Sequence, residues 1–337
     1  MSAGHPAPLL LLALLVFLAS CAGSWVVMRW LKRRLILDHP VERSSHAEPV
    51  PKGSGIAVVT VLLAGWLWLG TTGASPPETL LICCLAFALG SLSWLNDVTH
   101  LPAALRLVVH LLIAFVGLQA LPDRGQIFQG LLPVRADEIA TLLLWTWFLN
   151  LFNFMDGIDG ITTVETVAIG CGLAAVAVLT GVGSGGYLAL VVALAAAMLG
   201  FLPWNWHPAK VFLGDVGSVP LGFVVGWLLL LLAGRGFWAP ALLLPLYYLA
   251  DATLTLARRL LKGERVWQAH RSHFYQRGLG RDRNHATVSI LILICDLGLV
   301  GAAVLSLWSP ALGIVLGVLL IAGLLALLDW RARAAAA

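Results

Sequence analysis

Charge is what this sequence has least of. Asp, Glu, Lys and Arg make up only 11% of its 337 residues, against roughly a quarter in a soluble domain. A water-soluble protein of this size could not cover its surface with so few charges, so two ordinary soluble domains are excluded. Long polar linkers and low-complexity tracts are lacking apart from the Ala-rich end. Apolar/polar alternation is lacking too, which excludes a membrane β-barrel. The net charge of +4 is spread over short loops and forms no nucleic-acid-binding stripe. Cysteine occurs five times, and Cys21, Cys83, Cys84, Cys171 and Cys295 all lie in apolar runs without metal-ligand spacing, as small buried residues do. Leu18-Ala19-Ser20-Cys21 looks like a lipoprotein cleavage box. Positive charge before the apolar core, which a signal peptide needs, is missing from Met1 to Pro8. The first segment is therefore expected to remain as an anchor.

Long hydrophobic runs are what the sequence does contain. Sixty per cent of it is hydrophobic, and a helix needs ~17–25 apolar residues to cross a bilayer. Ten or eleven spans are expected, near 8–29, 54–71, 79–96, 102–121, 139–153, 160–180, 186–203, 216–233, 238–258, 287–306 and 309–328, the fifth being short. The fold class is all-α, one polytopic membrane-embedded domain over residues 1–337. With the N-terminus outside, the inner segments are about 30–53, 94–106, 153–160, 203–215 and 258–286, with the C-terminal tail. Counting Arg29 at the edge of the first, these inner segments then hold 18 of the 21 basic residues, leaving only Arg124, Arg135 and Arg235 outside. That asymmetry is the positive-inside pattern, and it fits a bacterial inner membrane with lipid contacts on both faces.

The unusual polar residues are expected on that inner side. Intramembrane and membrane-edge carboxylates are costly and usually have a role. Asp38 to His46 is followed by Pro51-Lys52-Gly53-Ser54-Gly55, whose glycines could offer backbone N–H groups to a phosphate. Trp94-Leu95-Asn96-Asp97 ends the third span. Asn153-Phe154-Met155-Asp156-Gly157-Ile158-Asp159-Gly160 has two acids and no basic neighbour, which asks for a cation. Mg²⁺ is the natural one, with Mn²⁺ as its substitute, because it takes oxygen ligands and is shared between carboxylates and phosphates. Phe212-Leu213-Gly214-Asp215-Val216-Gly217-Ser218 opens the eighth span, where Asp215 and Ser218 could alternatively cap a helix. The last inner loop carries His270-Arg271-Ser272-His273-Phe274-Tyr275-Gln276-Arg277 among further arginines, and such donors suit a diphosphate. Together these features point to Mg²⁺-dependent phosphoryl transfer between a water-soluble nucleotide and a lipid.

In their order, these motifs resemble the polyprenyl-phosphate N-acetylhexosamine-1-phosphate transferases. That family includes phospho-N-acetylmuramoyl-pentapeptide transferase and the enzymes that initiate O-antigen and enterobacterial common antigen. Asn153–Gly160 followed by Gly214–Ser218 is the most specific pair. The resemblance implies transfer of an N-acetylhexosamine 1-phosphate from a UDP-N-acetyl sugar to undecaprenyl phosphate, releasing UMP, and it allows a homodimer. It implies Asp156 and Asp215 as Mg²⁺ ligands. Catalytic roles would fall on Asn96, Asp97, Asp156, Asp159 and His273. Substrate-binding roles would fall on Arg43, His46, Lys52, Asn153, Gly214, Ser218, His270, Arg271 and Arg277. One departure stands out. The family usually has two adjacent aspartates where this chain has Asn96-Asp97. Asn cannot act as a base and is a weaker metal ligand, so a slowed or substrate-trapping form is the alternative. A transporter would place its charges nearer the midplane, and a lipid prenyltransferase would space its acids differently.

Overall fold

The computed structural model describes residues 7–38, 48–99, 101–121, 126–182, 186–265, 268, 270–280 and 284–336. The chain is an all-α polytopic membrane protein. In order the helices are α1 (Ala7–Arg33), α2 (Gly55–Thr71), α3 (Thr79–Thr99), α4 (Ala103–Gly117), α5 (Val134–Phe154), α6 (Ile161–Thr180), α7 (Gly186–Asn205), α8 (Asp215–Gly234), α9 (Trp238–Leu243), α10 (Leu246–Leu261), α11 (Phe274–Arg277), α12 (His285–Leu305) and α13 (Pro310–Ala336). Among the described residues, eight helices are long and apolar enough to cross a membrane: α1, α3, α4 with the 3-10 turn that follows it, α6, α7, α8, α12 and α13. Helix α2 is apolar but shorter.

Helices suit these sequences because hydrocarbon offers no water to unpaired backbone groups, and a helix pairs them internally. Prolines set several starts. Pro102 and Pro133 stand immediately before α4 and α5, where a missing N–H costs nothing. The expected fifth span begins five residues earlier than its apolar run, at Val134. Its first turns carry Arg135, Asp137 and Glu138, which break the hydropathy signal. The buried Asp137 carboxylate is used there, accepting the N–H groups of Ile127 and Phe128 at 3.3 and 2.9 Å. The expected single span over 238–258 is instead broken into α9 and α10 at Leu244-Pro245. Proline cannot continue a helical ladder and clashes with the preceding turn.

Helix α8 is buried along its whole apolar length. A helix that is apolar all round belongs in the interior, and α2, α3 and α5 pack around it. The buried indoles have found acceptors for their N–H groups: Trp66 on the Leu190 carbonyl, Trp145 on Phe223 and Trp227 on Ala120, each at 3.0 Å. Large apolar side chains such as Leu10, Phe87, Leu112, Ile294 and Leu319 remain exposed on the outside, as a lipid solvent allows. At one end of the bundle a two-stranded antiparallel ribbon forms from β1 (Leu37–Asp38) and β2 (Val50–Pro51). It delivers the chain to the start of α8.

Candidate active site

That same end gathers the carboxylates. Residues after β2 dock on the strand-like segment before α8, and Phe212 donates its N–H to the Pro51 carbonyl at 2.8 Å. Lys52 is thereby placed over the N-terminus of α8. Its Nζ lies 2.8 Å from Asp97 Oδ1 and 3.5 Å from Asp215 Oδ1. Burial opposes the Lys52 charge, but Asp215 and Asp97 outweigh it and hold the ammonium above its ordinary range. Asp97 Oδ2 also accepts the Val216 N–H at 3.2 Å. Asn96 is oriented by two bonds. Its Oδ1 accepts the Leu101 N–H at 3.0 Å, and its Nδ2 donates to Asp215 Oδ2 at 2.8 Å. Arg106, which the sequence reading passed over, approaches the same Asp215 oxygen at 3.6 Å. The side chain of Asp97 is only 4% exposed, that of Asp215 19% and that of Lys52 34%. The acids are thus more deeply buried than the lysine that pairs with them.

The segment between α5 and α6 adds a third acid. Asp156 feels Lys52, Asp215 and Asp97, so it belongs to the same cluster. Burial pushes its carboxyl up to about 6, against a hydrogen bond from the Thr162 hydroxyl. That bond is 2.6 Å long, and the same hydroxyl lies 3.2 Å from the Tyr248 OH. Asn153 Nδ2 donates to Ser218 Oγ at 2.8 Å, tying the end of α5 to the first turn of α8. Ser218 in turn donates to the Gly214 carbonyl at 3.2 Å. Neither Asp215 nor Ser218 supplies a side-chain cap to α8, whose N-cap is Gly214, so the capping alternative does not apply. Gly214 has φ 77°, a conformation that glycine adopts freely. At Gly157 a Cβ would lie 2.1 Å from the Tyr275 hydroxyl, so no side chain fits while Tyr275 holds the Phe154 carbonyl at 3.0 Å.

Asp159 has different company. Its Oδ2 lies 2.6 Å from His207 Nδ1 and accepts the Ala209 N–H at 3.1 Å, while His285 Nδ1 lies 3.0 Å from Oδ1. Burial works against its ionisation, but the bonds from His285 and His207 outweigh it and keep the carboxyl below its ordinary range. The three-residue spacing does not turn both acids to one face, because 155–160 is a non-helical turn.

The last loop is organised by a residue the sequence reading missed. Asp251 of α10, fully buried, accepts the N–H groups of Phe274 and Tyr275 at 3.0 Å each, and its Oδ1 lies 3.1 Å from His273 Nδ1. It fixes α11 and His273 together. His270 stacks on His273 with ring centroids 4.8 Å apart. Burial, with His273 and Arg259 nearby, lowers the His270 imidazole to about 4. It is therefore neutral at pH 7, able to form hydrogen bonds without carrying a charge. Arg271 lies in the same turn. Arg277 points to α13, where it pairs with Asp329. Its position is structural as the chain stands, and the expected diphosphate contact is not prepared. Arg43 and His46 lie outside the described residues.

The N–H groups of Gly53, Ser54 and Gly55 are taken by the Phe212 and Leu213 carbonyls at 3.1, 3.0 and 2.8 Å. They are not available to a phosphate, because they serve the docking that positions Lys52. The unusual polar residues are also not all at the inner edge. Glu165 of α6 and Asp296 of α12 are buried inside the helical layer, 0% and 2% exposed. Each is a lone acid in an apolar run, too isolated in sequence to mark a site.

Comparison with known proteins agrees with the motifs. Residues 79–233 match the model of Glycosyl transferase family 4. The match covers 155 of the 337 residues. The resemblance drawn from Asn153–Gly160 and Gly214–Ser218 is borne out, since both motifs fall inside it. The chain is 28% identical over 272 residues to the probable undecaprenyl-phosphate N-acetylglucosaminyl 1-phosphate transferase of Bacillus subtilis, covering 76% of this chain and 73% of that one. It is 28% identical over 351 aligned residues to the decaprenyl-phosphate N-acetylglucosaminephosphotransferase of Mycobacterium tuberculosis, covering 91% and 85%. A shorter stretch of 81 residues is 42% identical to the phospho-N-acetylmuramoyl-pentapeptide-transferase of Moorella thermoacetica, covering 23% and 24%.

Proposed function

We propose that this family 4 chain transfers an N-acetylhexosamine 1-phosphate from a UDP-sugar to a polyprenyl phosphate such as undecaprenyl phosphate, as the first membrane step of O-antigen or related envelope polysaccharide synthesis. The observation that carries the reading is the convergence of Asp97, Asp156 and Asp215 on Lys52 at one end of an apolar helical bundle. Relatives named for polyprenyl-phosphate sugar-phosphate transfer support it. The basic asymmetry of the loops supports a cytoplasmic location for that end, in a bacterial inner membrane.

An oxygen of the lipid phosphate attacks the β-phosphorus of the donor. The new P–O bond forms as the bond from the β-phosphorus to the bridging oxygen breaks, and UMP leaves with that oxygen. The acceptor is already an anion near neutral pH, so positioning and charge stabilisation dominate the task. Lys52 neutralises part of the charge that accumulates between donor and acceptor. His273, held by Asp251, and neutral His270 present donors to the diphosphate from the opposite loop. Asn153 and Ser218 fix the α5–α8 junction against which the nucleotide would lie. The all-oxygen donor set of Asp156 and Asp215 fits Mg²⁺, or Mn²⁺ in its place. When bound, the ion supplies Lewis acidity and a template for the diphosphate. An apolar cavity of about 570 Å³, lined by Phe128, Leu144, Phe148, Leu230, Trp238 and Leu242 among others, lies toward the end of α8 remote from Asp215 and gives room for the distal part of a prenyl chain.

The test is UMP release by the purified chain with Mg²⁺ across a panel of UDP-N-acetyl sugars, with and without undecaprenyl phosphate. Release that requires both the lipid and one sugar supports the reading and names the donor. Silence with every donor, from both this chain and Asn96→Asp, overturns it.

A further inference from the structure

Asp159 sits between two imidazoles, away from its expected partners. His207 Nδ1 and His285 Nδ1 lie 2.6 and 3.0 Å from its two carboxylate oxygens. One ligand atom from each of the three residues falls within 4.8 Å of the others, as happens for no other His, Cys, Asp or Glu group among the described residues. We propose that Asp159, His207 and His285 bind a divalent cation of the zinc class, at a site distinct from the oxygen-lined Asp156–Asp215 cluster.

The donor set separates the two sites. Two imidazole nitrogens with one carboxylate suit borderline cations such as Zn²⁺ or Co²⁺ and leave a fourth position for water, whereas Mg²⁺ prefers oxygen. Metal–ligand bonds of ~2.0–2.2 Å in a tetrahedron put ligand atoms roughly 3.3 Å apart. The contacts at 2.6 and 3.0 Å need open by only about 0.7 and 0.3 Å to reach that spacing. Burial fits as well. The Asp159 and His285 side chains are 6% and 4% exposed, and His207 at 33% leaves a way in. The surrounding bonds hold the ligands in place. Ala209 donates its N–H to Asp159 Oδ2 at 3.1 Å, Ser289 donates to the Asp159 carbonyl at 2.8 Å, and Asn205 accepts the Gly160 N–H at 3.1 Å. Such outer bonds orient metal ligands.

The three ligands come from the turn after Asp156, from the loop before Gly214-Asp215 and from the start of α12. A bound cation would cross-link these segments and hold Asp156 and Asp215 at a fixed separation without touching the phosphates. Its role is positional, and its detection does not depend on transferase activity.

The test uses the full-length, tag-free chain in detergent, stripped with EDTA and titrated with Co²⁺. Visible absorption is read, and zinc is counted by mass spectrometry. The expected result is one Co²⁺ per chain, with a visible band displaced by Zn²⁺ but not by millimolar Mg²⁺. The band persists in Asp215→Asn and is lost in both His207→Ala and His285→Ala. His207 is partly exposed, so its replacement should leave the chain monodisperse on size exclusion, which separates loss of binding from loss of fold. Absence of the band and of stoichiometric zinc from the wild-type chain overturns the proposal. So does a band that survives both histidine replacements, which would move the ion to the His270–His273 pair.

Discussion

Asn96→Asp tests the arrangement at its sharpest point. The Asn96 amide donates to Asp215 Oδ2 at 2.8 Å while its own oxygen accepts the Leu101 N–H at 3.0 Å. An aspartate in the same place keeps the second bond and turns its other oxygen on Asp215. Two full charges ~3 Å apart, at an effective dielectric constant near 20, repel by roughly 5–6 kcal/mol. The pair can escape by taking up a proton, which for an ordinary carboxyl at pH 7 costs about 4 kcal/mol. That sets a ceiling, and Lys52 and Arg106 lower it further. Without a divalent cation the variant should therefore melt several degrees below the wild type at pH 7, and the gap should narrow at pH 5. With millimolar Mg²⁺ the two carboxylates become a chelating pair, so the gap should close. The Mg²⁺ concentration for half-maximal UMP release should fall by roughly tenfold or more, equivalent to about 1.4 kcal/mol. Thermal melts in detergent with EDTA or Mg²⁺, beside the UMP assay, measure both effects. Equal melting temperatures without Mg²⁺, together with an unchanged Mg²⁺ response, would refute the placement of Asn96 against Asp215.

Four further outcomes are expected. The Asp156 carboxyl sits at about 6, above its ordinary value of 3.8, so activity that needs its charge should fall as the pH drops through about 6. The folded chain holds this proton more tightly than the unfolded one, so the stability it contributes is fully present below about 3.8 and is lost as the pH rises to about 6; Asp156→Asn should remove both dependences in pH–rate profiles and melts. Thr162→Val removes a hydrogen bond that lowers the Asp156 value, so the acid limb of the profile should move to higher pH. Gly157→Ala places a Cβ 2.1 Å from the Tyr275 hydroxyl, and should cost about 1–3 kcal/mol by overpacking, read as a lowered Tm. Leu242→Trp fills part of the apolar cavity, and should raise KM for undecaprenyl phosphate by several-fold while leaving KM for the nucleotide sugar unchanged.

The spans were legible because hydrocarbon imposes one rule on every residue of a crossing helix, and that rule leaves a long uniform run. It failed where the run is interrupted for local reasons. At α5 the buried Asp137 serves neighbouring N–H groups, and at Leu244-Pro245 a broken helix keeps its hydropathy. The carboxylates Asp97, Asp156 and Asp215 were legible for the opposite reason, since charge at a membrane edge is conspicuous. Their partners were not. Lys52 reaches Asp97 and Asp215 only because Gly53, Ser54 and Gly55 spend their N–H groups on Phe212 and Leu213, a pairing across some 160 positions of chain that no local pattern encodes. Asp251, Arg106 and His207 were missed because each looks ordinary alone: an acid within α10, an arginine beyond a helix start, a histidine before a proline. Asp159 lies three residues after Asp156, a spacing that would put both acids on one face only in a helix, and 155–160 is not helical. Gly160, at φ 78°, lets the chain turn tightly and send two acids three residues apart to separate partners. Sequence spacing thus identified which residues carry charge, while the division of that charge between the Lys52 cluster and a histidine-rich one is a property of the turn.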